Sequence, residues 1–355
     1  MKKILVLAIS IMFIAAGCDV FSGDLFGSSS IKGVFKSEDG GKTFKPYNLV
    51  SGKKANLNSL AVTDLVFDPS NQEIIYISST SGIYKSTDKA STWTMILSNI
   101  SVRDIDVSGS FQALVFACGV SAGNGKIIKT SDGGATWIDL YTEPNKSNPV
   151  IGVAVSKVNE KNVYAVLNSG EFIRSTDSGA TWTNLHKFDD APVKLITEKF
   201  GGVYVLTAKK GLFYSSNSGS SWSALTSNLT TDFIQSLGNN NLSASAFYDF
   251  TLDFRQNNVI YLVTDIGLLR SVNNGSNWSL IKLPYKTATL RIGSVAISPF
   301  DSNKIFVGVG YILMSTVNGG ISWETKELAT QAAVKQVVID PGNQYAIYIG
   351  LTDRK

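Results

Sequence analysis

Seven side chains that can accept or donate hydrogen bonds recur at intervals of 40 to 56 residues: Asp39, Asp88, Asp132, Asp177, Asn217, Asn273 and Asn318. Each lies two residues after a Ser or Thr, and a hydroxyl beside a carboxylate is raw material for nucleophilic or acid–base catalysis. A reaction centre needs one such set. These groups recur alike in every copy, which is how a scaffold element behaves. A short Asp, Asn or Ser side chain accepts hydrogen bonds from backbone N–H groups of its own turn. The glycine two positions further on, Gly41 or Gly134 for example, tolerates the positive φ that closing such a turn requires. All but the first segment end in an indole, and Trp93, Trp137, Trp182, Trp222, Trp278 and Trp323 are every tryptophan in the chain.

Other reactive groups are sparse. The one histidine, His186, has no Ser or Cys partner motif and reads as a surface residue. Cys118 ends the apolar run Ala113-Leu114-Val115-Phe116-Ala117-Cys118 and reads as a small buried hydrophobe. No phosphate loop, metal-ligand cluster or cofactor motif is present, so neither metal nor cofactor is expected. Glycoside hydrolysis needs two carboxylates roughly 5–10 Å apart. Asp104 and Asp249 are the pair that could share one channel.

The elements around these groups are short strands. Gly82-Ile83-Tyr84-Lys85-Ser86 and Thr92-Trp93-Thr94-Met95-Ile96 flank one polar turn as a β-hairpin. Upstream come two more strand signals, such as Leu65-Val66-Phe67 and Ile74-Ile75-Tyr76-Ile77-Ser78. Four antiparallel strands per period make one blade, and a period of this length indicates a propeller.

The pattern Ser/Thr-x-Asp-x-Gly-x-Thr-Trp resembles the Asp-box, or bacterial neuraminidase repeat, of sialidases, two-domain xyloglucanases, sortilin-type receptors and photosystem II assembly factors. Thr130 to Trp137 and Ser175 to Trp182 match it at every defined position. Asn217, Asn273 and Asn318 replace Asp, Ala90 replaces a Gly and Phe44 replaces Trp; Asn keeps a carbonyl acceptor at the same reach. The resemblance runs from about Lys32 to the C-terminus. It implies peripheral, structural boxes and a ligand face built by the loops entering the innermost strands and those joining the second and third strands.

The two ends of the chain carry opposite halves of one unit. A box at Ser37 has no apolar strand pair before it, and Val337-Val338-Ile339-Asp340-Pro341-Gly342-Asn343 with Ala346-Ile347-Tyr348-Ile349 has no box after it. Asp340-Pro341-x-Asn343-Gln344 repeats Asp68-Pro69-x-Asn71-Gln72. The expected fold is therefore all-β: a seven-bladed propeller of four-stranded antiparallel blades, one of them shared by the N-terminal and C-terminal strands. Such closure removes open sheet edges.

Lys2-Lys3, the apolar run Ile4 to Ile14 and Ala15-Ala16-Gly17-Cys18 read as an export signal over residues 1–17. The last four residues resemble the bacterial lipobox, which implies that Cys18 is lipidated. Residues 18–31, with Ser28-Ser29-Ser30, read as a flexible tether to a single propeller over 32–355. The expected location is exported and anchored to a bacterial membrane. The formal charge of +4 falls to about +2 without Lys2 and Lys3, and no block of like charge exists, which excludes nucleic acid as a partner.

Arg103, Asp104, Lys194, Tyr248, Asp249 and Arg291 are the candidate ligand-face residues, with Arg354 placed only near the C-terminal end and Arg255 on the opposite face. The entry loops from Thr226 to Tyr248, Asn48 to Val62 (with Lys53-Lys54) and Tyr141 to Val150, and the Gly-rich connection Gly119 to Gly125, are long enough to carry function. A sialidase-like clamp needs three arginines on a carboxylate, and two plus lysines do not rebuild it. The reading is a monomeric, non-catalytic scaffold that binds a protein, peptide or glycan, and the alternative is a glycoside hydrolase acting on polysaccharide.

Overall fold

The computed structural model describes residues 30–52, 54–109, 113–236, 246–284 and 291–354. Cys18, most of the tether, Lys53 and Asn239 to Asn241 lie outside the described residues. Strands β1 (Gly33–Ser37) and β2 (Lys45–Pro46) come first. Blade 1 follows as β3 (Val62–Asp68), β4 (Asn71–Ser79), β5 (Gly82–Ser86) and β6 (Thr94–Ser98), and blade 2 as β7 (Ser101–Val107), β8 (Val115–Ser121), β9 (Asn124–Thr130) and β10 (Ile138–Thr142). Blade 3 holds β11 (Val150–Val155), β12 (Val163–Leu167), β13 (Glu171–Ser175) and β14 (Thr183–Lys187); blade 4 holds β15 (Pro192–Thr197), β16 (Val203–Thr207), β17 (Gly211–Ser215) and β18 (Ser223–Ala224). A six-residue helix, α1 (Thr231–Ser236), precedes blade 5: β19 (Phe247–Leu252), β20 (Ile260–Thr264), β21 (Gly267–Ser271) and β22 (Ser279–Ile281). Blade 6 is β23 (Ile292–Ile297), β24 (Ile305–Val309), β25 (Ile312–Thr316) and β26 (Glu324–Glu327); β27 (Ala333–Ile339) and β28 (Ile347–Thr352) end the chain.

Blade 7 has the order β2-β1-β28-β27, so the two ends of the chain do share a sheet, with Gly33 to Ser37 paired against Leu351 to Ile347. Thr330 Oγ1 donates to the Ile31 carbonyl at 2.5 Å and Lys32 pairs with Asp353 at 2.7 Å, which fastens the junction. The fold is a seven-bladed propeller.

The second strand of each blade is packed on both faces by neighbouring blades. That is why β12, β16, β20 and β24 are buried at every position and read as unbroken apolar runs. Outer strands such as β14 lie open to solvent, with no position fully buried. His186 lies there, but it is half-buried rather than a free surface residue, since Trp222 of the next blade and Phe188 pack on its ring at 6.0 and 4.6 Å. Cys118 is fully buried on β8, as expected of a small hydrophobe.

The recurrent turn works as its residue types dictate. Thr130 Oγ1 donates to Asp132 and accepts the Gly134 N–H at 2.9 Å, while Asp132 accepts both the N–H and the hydroxyl of Thr136. The same bonds in the next copy, from Thr181 and Ser175, hold the Asp177 carboxyl down at about 2. Where Asn stands instead, its carbonyl still accepts the backbone N–H, and in two of the three copies its amide donates to a Ser hydroxyl, Asn217 to Ser221 and Asn318 to Ser322. The turn then rests on the preceding blade. Gly219, at φ 86°, sits so close that a Cβ there would lie 2.1 Å from the Phe172 ring. Trp222 meets that ring edge-on at 5.0 Å.

A second contact latches the blades together. On the third strand a cation lies across from a second-strand aromatic and reaches the next blade's turn. Lys85 stands opposite Tyr76 and donates to the Gly133 carbonyl at 3.0 Å, and Lys129 stands opposite Phe116 and donates to Ser178 at 3.1 Å. Arg174 stands opposite Tyr164 and donates to Ser218 at 3.2 Å.

The loop from Asn48 to Val62 is not a free excursion. Leu49 bridges Asn56 and Val50 bridges Trp93, whose indole donates to the Tyr47 carbonyl at 2.7 Å and is wholly buried. Gly119 to Gly125 also differs from the sequence reading. Strands β8 and β9 run through it, leaving only Ala122 and Gly123 as a positive-φ turn. Gly119 lies within β8, and glycine is needed there because a Cβ would strike the Ser101 carbonyl at 2.1 Å.

Candidate functional site

The innermost strand of every blade skips one residue against its partner, and always at the same place. The register shifts lie between Val62 and Asp64, Val102 and Asp104, Val150 and Gly152, Pro192 and Lys194, Phe247 and Asp249, Ile292 and Ser294, and Val334 and Gln336. A bulge re-aims the residue it inserts. The seven inserted residues, Thr63, Arg103, Ile151, Val193, Tyr248, Gly293 and Lys335, all line one cavity of about 110 Å³. They form the channel mouth, where the innermost strands begin.

The next residues form a lower ring, and five of the seven tie blade to blade. Gln336 accepts the Leu65 N–H at 2.7 Å, Asp64 the Ile105 N–H at 3.2 Å and Asp104 the Val153 N–H at 2.9 Å. Asp249 accepts the Val295 N–H at 3.1 Å and the Lys194 ammonium at 2.7 Å. Lys194 also donates to the Phe250 carbonyl at 2.9 Å. Glycine stands at the third of these positions, Gly152, where a Cβ would lie 3.2 Å from both Leu195 and Val166. Asp104 and Asp249 are therefore staples between blades, each with an oxygen engaged by a backbone donor.

Asp104 carries a perturbed charge. Burial at the channel waist, then the Asp64 carboxylate beside it, push its carboxyl well above the ordinary range against the pull of the Val153 N–H. With the folded pKa raised, the stability tied to the protonated form is complete below the unfolded value of about 4 and is lost as pH rises through the folded value. Asp104→Asn keeps an oxygen for Val153 and carries no charge. The variant is expected to melt above the parent at pH 8 and together with it below pH 4, as followed by circular dichroism. Equal melting at both ends would contradict the raised carboxyl.

Beside the mouth, and sharing Tyr248, Gly293 and Lys335 with it, lies a wider depression of about 320 Å³ that also takes in Arg291, Asp353 and Arg354. The Arg291 guanidinium stacks on Tyr248, 3.5 Å from the ring centre, and Arg354 stands 5.6 Å from the Tyr311 ring. Arg103, Arg291, Lys335 and Arg354 are exposed, and among the described residues none of them pairs with a carboxylate. Asp353 is taken by Lys32 and Asp249 by Lys194. The mouth thus presents cations while its carboxylates are engaged.

All six residues singled out from the sequence lie at this end of the channel: Arg103, Asp104, Lys194, Tyr248 and Asp249 on its wall, and Arg291 in the adjoining depression. Arg354 corrects the sequence reading, because β28 returns to the mouth and delivers it there. Arg255 lies between β19 and β20, at the far end of the channel, and donates to Pro299 across the blade junction. Sequence reasoning missed Asp64, Lys335 and Gln336. The recurring order apolar-x-polar-apolar, in Val62 to Leu65, Val102 to Ile105 and Val334 to Val337, is the signal that aligns them.

No protein-family model matches this chain, and no curated protein matches it in sequence. Solved structures share its fold. YCF48 bound to a D1 peptide is similar at a TM-score of 0.60 and 15% identity, over 83% of this chain and 94% of that one. The GH74 enzyme of Niastella koreensis is similar at 0.63 and 14% identity over 82% of this chain, which spans 51% of the enzyme. The extracellular domain of the putative one component system BT4673 from B. thetaiotaomicron gives 0.60 and 13% identity, over 85% of this chain and 39% of that one. At these identities the likeness is one of fold.

Proposed function

We propose that this chain is an exported, lipid-anchored, non-catalytic propeller that binds a protein or peptide through an acidic group at the channel mouth. The observation that carries the reading is the division of labour there. Asp104 and Asp249 accept backbone N–H groups of the neighbouring blade, and Arg103, Arg291, Lys335 and Arg354 face solvent with no carboxylate partner among the described residues. Cations on a rigid concave rim attract anionic groups and orient them by charge-assisted hydrogen bonds. The peptide seen on YCF48 makes a peptide ligand reasonable for this fold. A glycan bearing carboxylates would meet the same cations.

Anchoring rests on Lys2-Lys3, the apolar run and Cys18. No helix among the described residues is long and apolar enough to cross a membrane. A lipidated Cys18 would attach the propeller stably, since each buried CH₂ contributes about 0.8 kcal/mol. We propose a monomeric propeller at the end of a short tether.

A second reading, glycoside hydrolysis, is favoured by one observation: Asp104 has the raised pKa of a general acid, and Asp64 stands beside it. Turnover of aryl glycosides and polysaccharides by the full-length protein decides between the two. The binding reading expects none above buffer. Turnover that Asp104→Asn abolishes would replace it with the hydrolase. Cys18→Ala should move the protein from the membrane to the soluble fraction, and an unchanged membrane fraction would refute the anchor.

A further inference from the structure

In six of the seven blades a cation stands at the second-strand aromatic. The third-strand position opposite the second-strand aromatic is Lys85, Lys129, Arg174, Arg270 or Lys36 in five blades. Blade 6 has Ser315 there, but Lys304 takes the place, 5.5 Å from the Phe306 ring, and donates to the Gln344 carbonyl of blade 7. Blade 4 has Tyr214 opposite Tyr204. The junction between blades 4 and 5 therefore lacks the latch seen between blades 1 and 2, 2 and 3, and 3 and 4.

A cleft of about 180 Å³ opens at that junction, on the face away from the channel mouth. Tyr204 and Tyr214 form one wall with ring centres 4.7 Å apart, and Leu225 and Leu252 line its apolar side. Phe200 and Phe254 stand at it 65% and 57% exposed. The Glu198 carboxylate is fixed by the N–H groups of Phe200 and Gly202 at 2.8 and 2.7 Å and pairs with no cation among the described residues. A Cβ on Gly202 would lie 2.8 Å from Glu198 Oε1 and 3.1 Å from the Tyr214 hydroxyl, so these polar tips converge over a glycine. Asn274, also at the cleft, holds the turn position whose carbonyl takes the latch cation in Gly133, Ser178 and Ser218. Lys199 stays at the rim, 5.0 Å from the Phe200 ring, and donates to the Phe254 carbonyl.

We propose that this cleft receives a cationic side chain from a protein partner, a lysine ammonium or an arginine guanidinium. The incoming cation takes the place that Lys85, Lys129 and Arg174 hold at the three preceding junctions. Its charge lies against the faces of Tyr204 and Tyr214, and its N–H groups donate to Glu198 and to the Asn274 carbonyl. Phe200 and Phe254 cover the alkyl stem. The cleft favours the opposite charge from the channel mouth, so the two faces recognise different groups.

The test is NMR titration of the full chain with N-acetyl-lysine amide, N-acetyl-arginine amide and tetramethylammonium chloride. The first two should bind saturably in the millimolar range, and tetramethylammonium, which has no N–H to donate, at least about fivefold more weakly. Tyr214→Lys refills the junction from within; it should raise the melting temperature and weaken both amino-acid probes about tenfold or more. Glu198→Gln, which keeps the shape, should weaken them about fivefold and serves if the first variant does not fold. No saturable binding to the parent, or affinity unchanged in either variant, would overturn the proposal. Tighter binding of tetramethylammonium would refute the side-chain assignment in favour of a quaternary ammonium ligand.

Discussion

Deleting residues 333–355 will leave a chain that aggregates or lacks a cooperative thermal transition. The segment supplies β27 and β28, the inner half of blade 7, and with them the buried side chains of Val334, Val337, Ile339, Ala346, Ile347, Tyr348, Ile349 and Leu351. At about 1.5–3 kcal/mol for each large apolar side chain, the loss exceeds the whole stability of a typical domain, about 5–15 kcal/mol. The damage is not confined to one blade. Strand β1 loses its partner, and Phe306 and Leu313 of blade 6 lose the cluster they share with Val337 and Ile349. The unpaired edge of β1 would then face solvent, which invites association. Keeping the segment but joining residue 354 to residue 30 through a short linker, with new ends at the Ala122-Gly123 turn, should leave the protein folded, because the Lys32–Asp353 pair holds the old ends together. Size-exclusion chromatography and melting curves check both. A soluble, cooperatively melting deletion would refute ring closure by blade 7.

That closure was legible in the residues. The repetition of Asp68-Pro69-x-Asn71-Gln72 at Asp340 to Gln344 marked the C-terminal half-blade, and the box at Ser37 marked its complement. Periodic turns survive in sequence because each needs the same short acceptors and a positive φ. Site chemistry was legible only in part. Arg103 and Tyr248 stand out where an innermost strand starts, but their aim is set by a bulge, and the partners of Asp104 and Asp249 are backbone amides of the next blade. Nothing local announces either. Arg354 looked like a tail residue because its position depends on β28 rising beside β1, a contact between opposite ends of the chain. His186 owes its partial burial to Trp222 of another blade. What escaped the sequence is what neighbouring blades do to one another.

The largest functional effect is expected from the two stacked arginines. Arg291 and Arg354 are both exposed, so replacing them leaves the core intact and removes guanidinium groups already braced against Tyr248 and Tyr311. A charged hydrogen bond contributes about 1.5–3 kcal/mol, so each truncation should weaken an acidic ligand by roughly tenfold or more. Lysine in their place should not restore the affinity, because an ammonium lacks the planar fork that grips a carboxylate. Binding should also fall with added salt, since these charges face water and the screening length is about 8 Å at physiological ionic strength.

The direct measurement is fluorescence anisotropy of a labelled glutamate-rich peptide titrated with the parent, with Arg291→Ala/Arg354→Ala and with Asp104→Asn. The parent should bind it saturably at low salt, the double variant about a hundredfold more weakly, and Asp104→Asn within about twofold of the parent, since that carboxyl serves the blade junction. Equal binding by the parent and the double variant would contradict a cationic mouth that recognises acidic partners.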